Sequence, residues 1–445
     1  MNYIIKNGTV VNEGRIERRD IFIHEGRIVE DDSMMHTPVE FDASGCYILP
    51  GVIDTHVHFR DPGFPDKADF ATESRAALAG GVTSVIDMPN TDPQTTTLER
   101  LETKERIAAA KSAVNYGFML GATNDNLDEL LAIPTQRYAA IKLFLGSSTG
   151  NMLVNRAEVL DRLFRESRKL IVAHCEDEGI IQANLRNYKM ECQGTEDEQA
   201  ALHPKIRNTE ACFVSTYKAV ERARKYGTRL HIAHVSTATE LSLLSNKPIC
   251  EKNITAEVTP NHLWFDDRDY ATLGNRIKCN PAIKTSDDRL ALWSALIDGT
   301  IDTIATDHAP HTLASKEKPY FDAPGGIPSI QHSLQMMLEP FFSPQSATQH
   351  EELISTWFPI IVEKMCHAPA DIFGIKERGY LRNGYHADLV IVEPGETRIT
   401  RESLLYKCGW SPLEGETLHS RIRQVFLNGM PSEQSTPQPL VFGEL

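Results

Sequence analysis

Between residues 50 and 310 the apolar positions fall into short runs of five to seven residues, separated by longer amphipathic stretches. Val52 to His58, Thr83 to Met88, Tyr116 to Gly121 and Ala139 to Leu145 are the first four runs. Leu170 to His174, Arg229 to His234, Ile254 to Thr259 and Thr303 to Asp307 complete the set. Their length, β-branched content and flanking turn residues read as buried strands. The stretches Ala68 to Ala79, Leu98 to Ala113, Arg156 to Glu166 and Glu210 to Tyr226 read as helices between them. Strand alternating with helix predicts a parallel α/β fold. Eight such units predict a closed (β/α)8 barrel of the TIM type.

The two ends have a different texture. Tyr3 to Lys6, Thr9 to Asn12, Asp20 to His24 and Arg27 to Glu30 are short strands punctuated by Asn7-Gly8, Glu13-Gly14 and Glu25-Gly26. Similar runs return at Ala387 to Val392 and Ile422 to Gly429. Residues 1–50 and 381–445 are therefore expected to build one composite β-sandwich, leaving residues 51–380 for the barrel. Two connections are long: 186–208 is polar and reads as a surface excursion, and 308–328 follows the last strand directly. Loops after barrel strands form the active face, so the second is expected to touch a ligand.

Composition adds limits rather than identity. The chain has 445 residues, 41% hydrophobic and 24% charged, ample for a large barrel plus a second unit. Forty-six basic against 61 acidic residues leave a net charge of −15, which argues against nucleic acid or an anionic membrane as partner. The eight cysteines are scattered without a disulfide or metal spacing, as in a reduced, cytoplasmic protein. Met1 to Gly8 does not read as a secretory leader, and no apolar run reaches the roughly 18 residues of a membrane helix.

Chemistry is expected at the strand ends. His56 and His58, two apart on one strand, face the same side. His174, His234 and Asp307 end three further strands, and Lys142 sits inside the apolar run Ala139 to Leu145. Singly, each histidine reads as a hydrogen-bonded structural residue, and the lysine as a snorkelling side chain or an ion pair. Jointly, six such residues on one rim read as a metal site. A lysine whose amine has added carbon dioxide becomes an anionic, bidentate carbamate able to bridge two cations. Four imidazoles, that carbamate and an aspartate suit Zn²⁺. Arg60, two residues after His58, offers a planar fork for an anionic ligand beside the metals.

These pieces resemble the amidohydrolase superfamily and, within it, dihydroorotases of the bacterial class I type. The resemblance rests on His56-Val57-His58-Phe59-Arg60-Asp61-Pro62-Gly63, Asp87-Met88-Pro89-Asn90-Thr91, Ile141-Lys142-Leu143-Phe144, His174-Cys175-Glu176 and Thr306-Asp307-His308-Ala309-Pro310-His311, with Gly384 to Val390 near the end. It implies two zinc ions per subunit, one on His56, His58 and Asp307 and one on His174 and His234, bridged by carboxylated Lys142 and a hydroxide. Where some relatives carry a cysteine for a third metal, this chain has Ala233, so no third site is expected. It implies a substrate carboxylate held by Arg60, Asn90 and His311, and ring amides met by Asn280, Gly325 and Gly326. It further implies hydroxide attack on a cyclic amide with Asp307 as general base and acid. The reaction would interconvert N-carbamoyl-L-aspartate and (S)-dihydroorotate in pyrimidine synthesis. A homodimer is the family-like assembly; association with aspartate transcarbamoylase is left open. The competing readings are a dihydropyrimidinase-, hydantoinase- or allantoinase-like cyclic amidase and a non-catalytic scaffold. The loop Gly146 to Gly150 is expected to move over substrate.

Overall fold

A computed structural model describes residues 1–146, 152–191, 199–344 and 350–443 of the chain. Eight parallel strands form its centre: Val52–Val57, Val82–Asp87, a third strand in two pieces (Asn115–Phe118 and Leu120–Gly121), Ile141–Phe144, Ile171–His174, Leu230–Ile232, Ile254–Val258 and Thr303–Ile304. Each pairs in parallel with the next in chain order. The eighth closes onto the first: Val57 bridges His308, the His58 amide donates to the His308 carbonyl at 2.8 Å, and the Thr306 amide donates to Asp54 at 3.1 Å. The result is the (β/α)8 barrel. Both faces of such strands are covered, which is why all six positions of the first are buried and its sequence shows no polar alternation.

The helices start where their sequences supply caps. The side chains of Asp69, Thr97 and Asn208 accept amide protons at the starts of Phe70–Ala79, Leu98–Lys111 and Thr209–Tyr226. Thr285 and Asp288 cap each other's backbone at Ser286–Ile297, and Gly227 ends its helix in the left-handed conformation at φ 70°.

Strands from both ends build a small β unit. One sheet runs in the order Met430–Pro431, Thr417–Leu427, Leu389–Arg398, Tyr47–Pro50, Thr9–Asn12, Arg15–Arg18. The other runs Arg27–Val29, Ile21–His24, Asn2–Lys6, Val39–Asp42. Tyr3, Ile5, Ile23, Ile48, Leu389 and Phe426 share a hydrophobic cluster with residues of both.

One expectation meets a different outcome, one gains detail and one falls outside the described residues. The 186–208 excursion is largely helical where described, with Glu178–Glu191 running into it and His203–Ile206 closing it; a polar helix on the outside of a barrel looks like a loop in sequence. The eighth strand stops at Ile304, because residues 305–308 turn away to seal the barrel against the first strand. The proposed moving loop, beyond Gly146, lies outside the described residues. No helix among the described residues is long and apolar enough to cross a membrane.

Candidate metal centre

All twelve candidate residues line one cavity of about 370 Å³: His56, His58, Arg60, Asn90, Lys142, His174, His234, Asn280, Asp307, His311, Gly325 and Gly326. It opens at the C-terminal ends of the strands. A larger cavity of about 890 Å³ lies between Leu131–Tyr138 and Arg165–Lys169, at the N-terminal ends of the fourth and fifth strands. That is the opposite end of the barrel from the clustered imidazoles, and barrel enzymes place their chemistry at the C-terminal end.

Asp307 is the hub. Its Oδ1 lies 3.3 Å from His56 Nε2 and 3.0 Å from His58 Nε2. Ligand atoms of His56, His234 and Asp307 lie within 4.8 Å of one another, close enough to share one ion. Beside them His174 Nδ1 and His234 Nε2 face each other at 2.9 Å. Among the described residues, Lys142 Nζ is buried with no hydrogen-bond partner, and so is His234 Nδ1. Burying a polar group without a partner is costly, so this set is incomplete as protein alone. The donor types and the orphaned amine fit a divalent cation.

Electrostatics favour the metal-competent states. Burial pushes His58 down to about 3 and His234 well below the ordinary range, keeping both imidazoles neutral. Burial also lowers Lys142 to about 8. Burial works against an ionised Asp307, yet His56, His58 and His234 together hold it well below the usual carboxylate range. Other groups orient the rings. Glu257 accepts from His56 Nδ1 and sits 3.3 Å from His231 Nε2; Asn90 Oδ1 lies 2.7 Å from His58 Nδ1; Glu176 Oε2 lies 3.0 Å from His174 Nε2 and also holds Arg207. Arg60, His234 and Asp307 adopt positive φ of 64°, 39° and 48°, a conformation L-residues avoid. Such outliers cost about 1–3 kcal/mol each and gather at functional sites.

The opposite wall is positive. Arg60 Nη2 lies 3.3 Å from His311 Nε2, and Nε donates to the Pro310 carbonyl at 3.3 Å. Burial, then Arg60, Lys67 and Lys316, push His311 far down, so it faces the cavity neutral. Asn280 Oδ1 is buried with no hydrogen-bond partner among the described residues. A Cβ on Gly326, at φ 142°, would sit 2.4 Å from the Ala309 carbonyl oxygen, so only glycine brings this backbone so close. The loop is clamped from below: Lys316 Nζ donates to the carbonyls of Lys278, Pro324 and Gly326 at 3.0, 3.0 and 2.9 Å. Trp410, from the C-terminal segment, donates Nε1–H to the His311 carbonyl at 2.7 Å.

Sequence reasoning missed Glu257, Lys67, Lys316 and Trp410, and gave Glu176, though quoted within a motif, no role. Glu257 carried a usable signal, since a carboxylate inside Ile254–Val258 is as anomalous as a lysine inside Ile141–Phe144.

A family profile described as the amidohydrolase family matches residues 47–430. The chain is 34% identical to a dihydroorotase of Halobacterium salinarum over 410 residues, covering 91% of each chain. It is 32% identical to a dihydroorotase of Latilactobacillus sakei, covering 94% of this chain and 96% of that one. Among solved structures, an L-hydantoinase (dihydropyrimidinase) from Arthrobacter aurescens superposes with a TM-score of 0.89 at 26% identity, covering 99% of both chains.

Proposed function

The chain belongs to the amidohydrolase family, and from that premise we propose that it is a dihydroorotase, interconverting (S)-dihydroorotate and N-carbamoyl-L-aspartate in pyrimidine synthesis. His56, His58 and Asp307 would hold one zinc ion, His174 and His234 a second, with carboxylated Lys142 between them. Bound there, the cations supply Lewis acidity toward the amide carbonyl and lower the pKa of water toward neutrality.

The chain's own groups do the rest. Asp307, with 16% of its side chain exposed, is the carboxylate that can take a proton from the attacking water and deliver it to the ring nitrogen as the C–N bond breaks. In the reverse direction it removes that proton as the ring closes. Arg60 grips the substrate carboxylate, joined by the neutral His311 ring and the Asn90 amide. Asn280 and the Gly325–Gly326 backbone meet the ring amides, and the glycines let the ring lie flat against the loop.

The observation that carries this reading is the buried Arg60–His311 pair across the cavity from the imidazole cluster. A neutral cyclic amide leaves that guanidinium unpaired, whereas dihydroorotate brings a carboxylate to it. The likeness to a hydantoinase fold makes a neutral-ring amidase the second reading. An assay on L-dihydroorotate and dihydrouracil, with and without chelator, separates them. We expect turnover of dihydroorotate, its loss on chelation, and a fall of about 100-fold in kcat/KM for Arg60→Met with dihydrouracil little changed. Equal or better turnover of dihydrouracil by the unmodified enzyme would favour the second reading.

A further inference from the structure

Lys67 lines the same cavity as Arg60 and His311, and none of the steps above uses it. Its place is set by a fold-back. After Arg60, in the left-handed region at φ 64°, the Phe64 amide returns to the Arg60 carbonyl at 3.1 Å. The amides of Lys67 and Ala68 then donate to the Phe64 carbonyl at 3.0 and 3.3 Å. A lysine seven residues after the arginine is thereby brought to the same wall. Its ammonium lies 4.7 Å from the Phe64 ring centroid, which shields one side of the charge.

The ammonium has no hydrogen bond or ion pair to any described residue. Three of the four nearby carboxylates are engaged elsewhere, Asp61 with Lys111 at 2.8 Å, Asp69 with Lys407 at 2.6 Å and Glu73 with His308 at 2.7 Å, while the exposed neighbour Asp66 makes no ion pair with Lys67. Burial and then Arg60 lower Lys67 to about 8. Two cations on one wall repel each other, although Asp307, Asp87 and Glu73 partly offset the charge of Arg60, and an anion between them removes that repulsion. The fork of Arg60 sets the anion's orientation, and a lysine adds a mobile point charge without demanding geometry.

We infer that Lys67 is a specificity-determining residue, a second cation on the substrate carboxylate beside Arg60. This rests on the dihydroorotase reading and extends it. The test uses the metal-loaded full chain and compares Lys67→Met and Lys67→Arg with the parent on L-dihydroorotate and dihydrouracil. For Lys67→Met, KM for dihydroorotate should rise about tenfold while kcat stays within about twofold, with dihydrouracil unaffected. Lys67→Arg should recover most of the loss. Near pH 8 Arg60 remains charged and His311 neutral, while Lys142 and Lys316 titrate in the same range, so the parent's decline of kcat/KM through that region should be smaller, not absent, in Lys67→Met. An unchanged KM for dihydroorotate, or equal losses on both substrates, overturns the inference while leaving the wider reading intact. A parent enzyme inert towards dihydroorotate overturns both.

Discussion

At the scale of single residues, Lys142 shows how burial prepares chemistry. An exposed lysine is about 0.03% neutral at pH 7, whereas one lowered to about 8 is roughly a tenth neutral. Only the neutral amine adds carbon dioxide, so burial raises the reactive fraction several hundred-fold. Without carbon dioxide or metal the same burial is a liability. The folded state binds Lys142's proton less tightly than the unfolded chain does. The penalty is therefore complete below pH 8 and fades as pH rises toward 10.5. In metal-free protein, Lys142→Met should melt at or above the parent at pH 7, with the difference shrinking by pH 10. With zinc supplied, it should be inactive and hold less metal by elemental analysis. A Lys142→Met enzyme with parental zinc content would remove the carbamate from the account.

Among the elements, the 308–328 connection matters most, because it carries His311, Gly325 and Gly326 without regular structure for most of its length. Its shape comes from buried lysines. Lys316 holds three carbonyls, and Lys278 Nζ reaches those of Tyr320 and Ala323 at 2.6 Å each. Lys316→Met leaves the Pro324 and Gly326 carbonyls without this donor, while that of Lys278 still accepts the Gly326 amide at 2.8 Å, a loss of about 2–3 kcal/mol. It should raise KM for dihydroorotate more than it lowers kcat, with zinc content unchanged, since the hydrogen bonds of the lysine go to backbone carbonyls and none to the six metal-candidate side chains. A drop in zinc with KM intact would show that the clamp supports the other wall.

For the whole molecule, the imidazole cluster joins residues 251 positions apart, from His56 to Asp307, across the seam where the barrel closes. A cation bound only by the closed barrel stabilises it by linkage, about 4 kcal/mol at a thousandfold excess over Kd. Chelation should accordingly lower Tm by several degrees and added zinc restore it, read by differential scanning fluorimetry. An unmoved Tm would mean the cluster is held together by its hydrogen bonds alone. The acidic surface implied by a net charge of −15 does not attract an anionic substrate, so the positive wall of Arg60 and Lys67 acts locally.

The barrel was legible because its strands are buried on both faces and so stand out as unbroken apolar runs, and because polar residues inside or ending such runs demand a reason. Period-two spacing alone put His56 and His58 on one face, and Lys142 was conspicuous for sitting among Ile141, Leu143 and Phe144. Lys67 and Lys316 sit in polar segments where lysine is unremarkable, and only the fold-back after Arg60 and the convergence of three carbonyls give them their surroundings. Trp410 reaches His311 from 99 positions away, a contact no local pattern encodes. Local sequence determined which strands form and which side of each carries the reactive groups, because burial and alternation act over a few residues. Barrel closure decided which of those groups meet, which cations go unpaired and where the backbone is strained, because those depend on distances between segments remote in the chain.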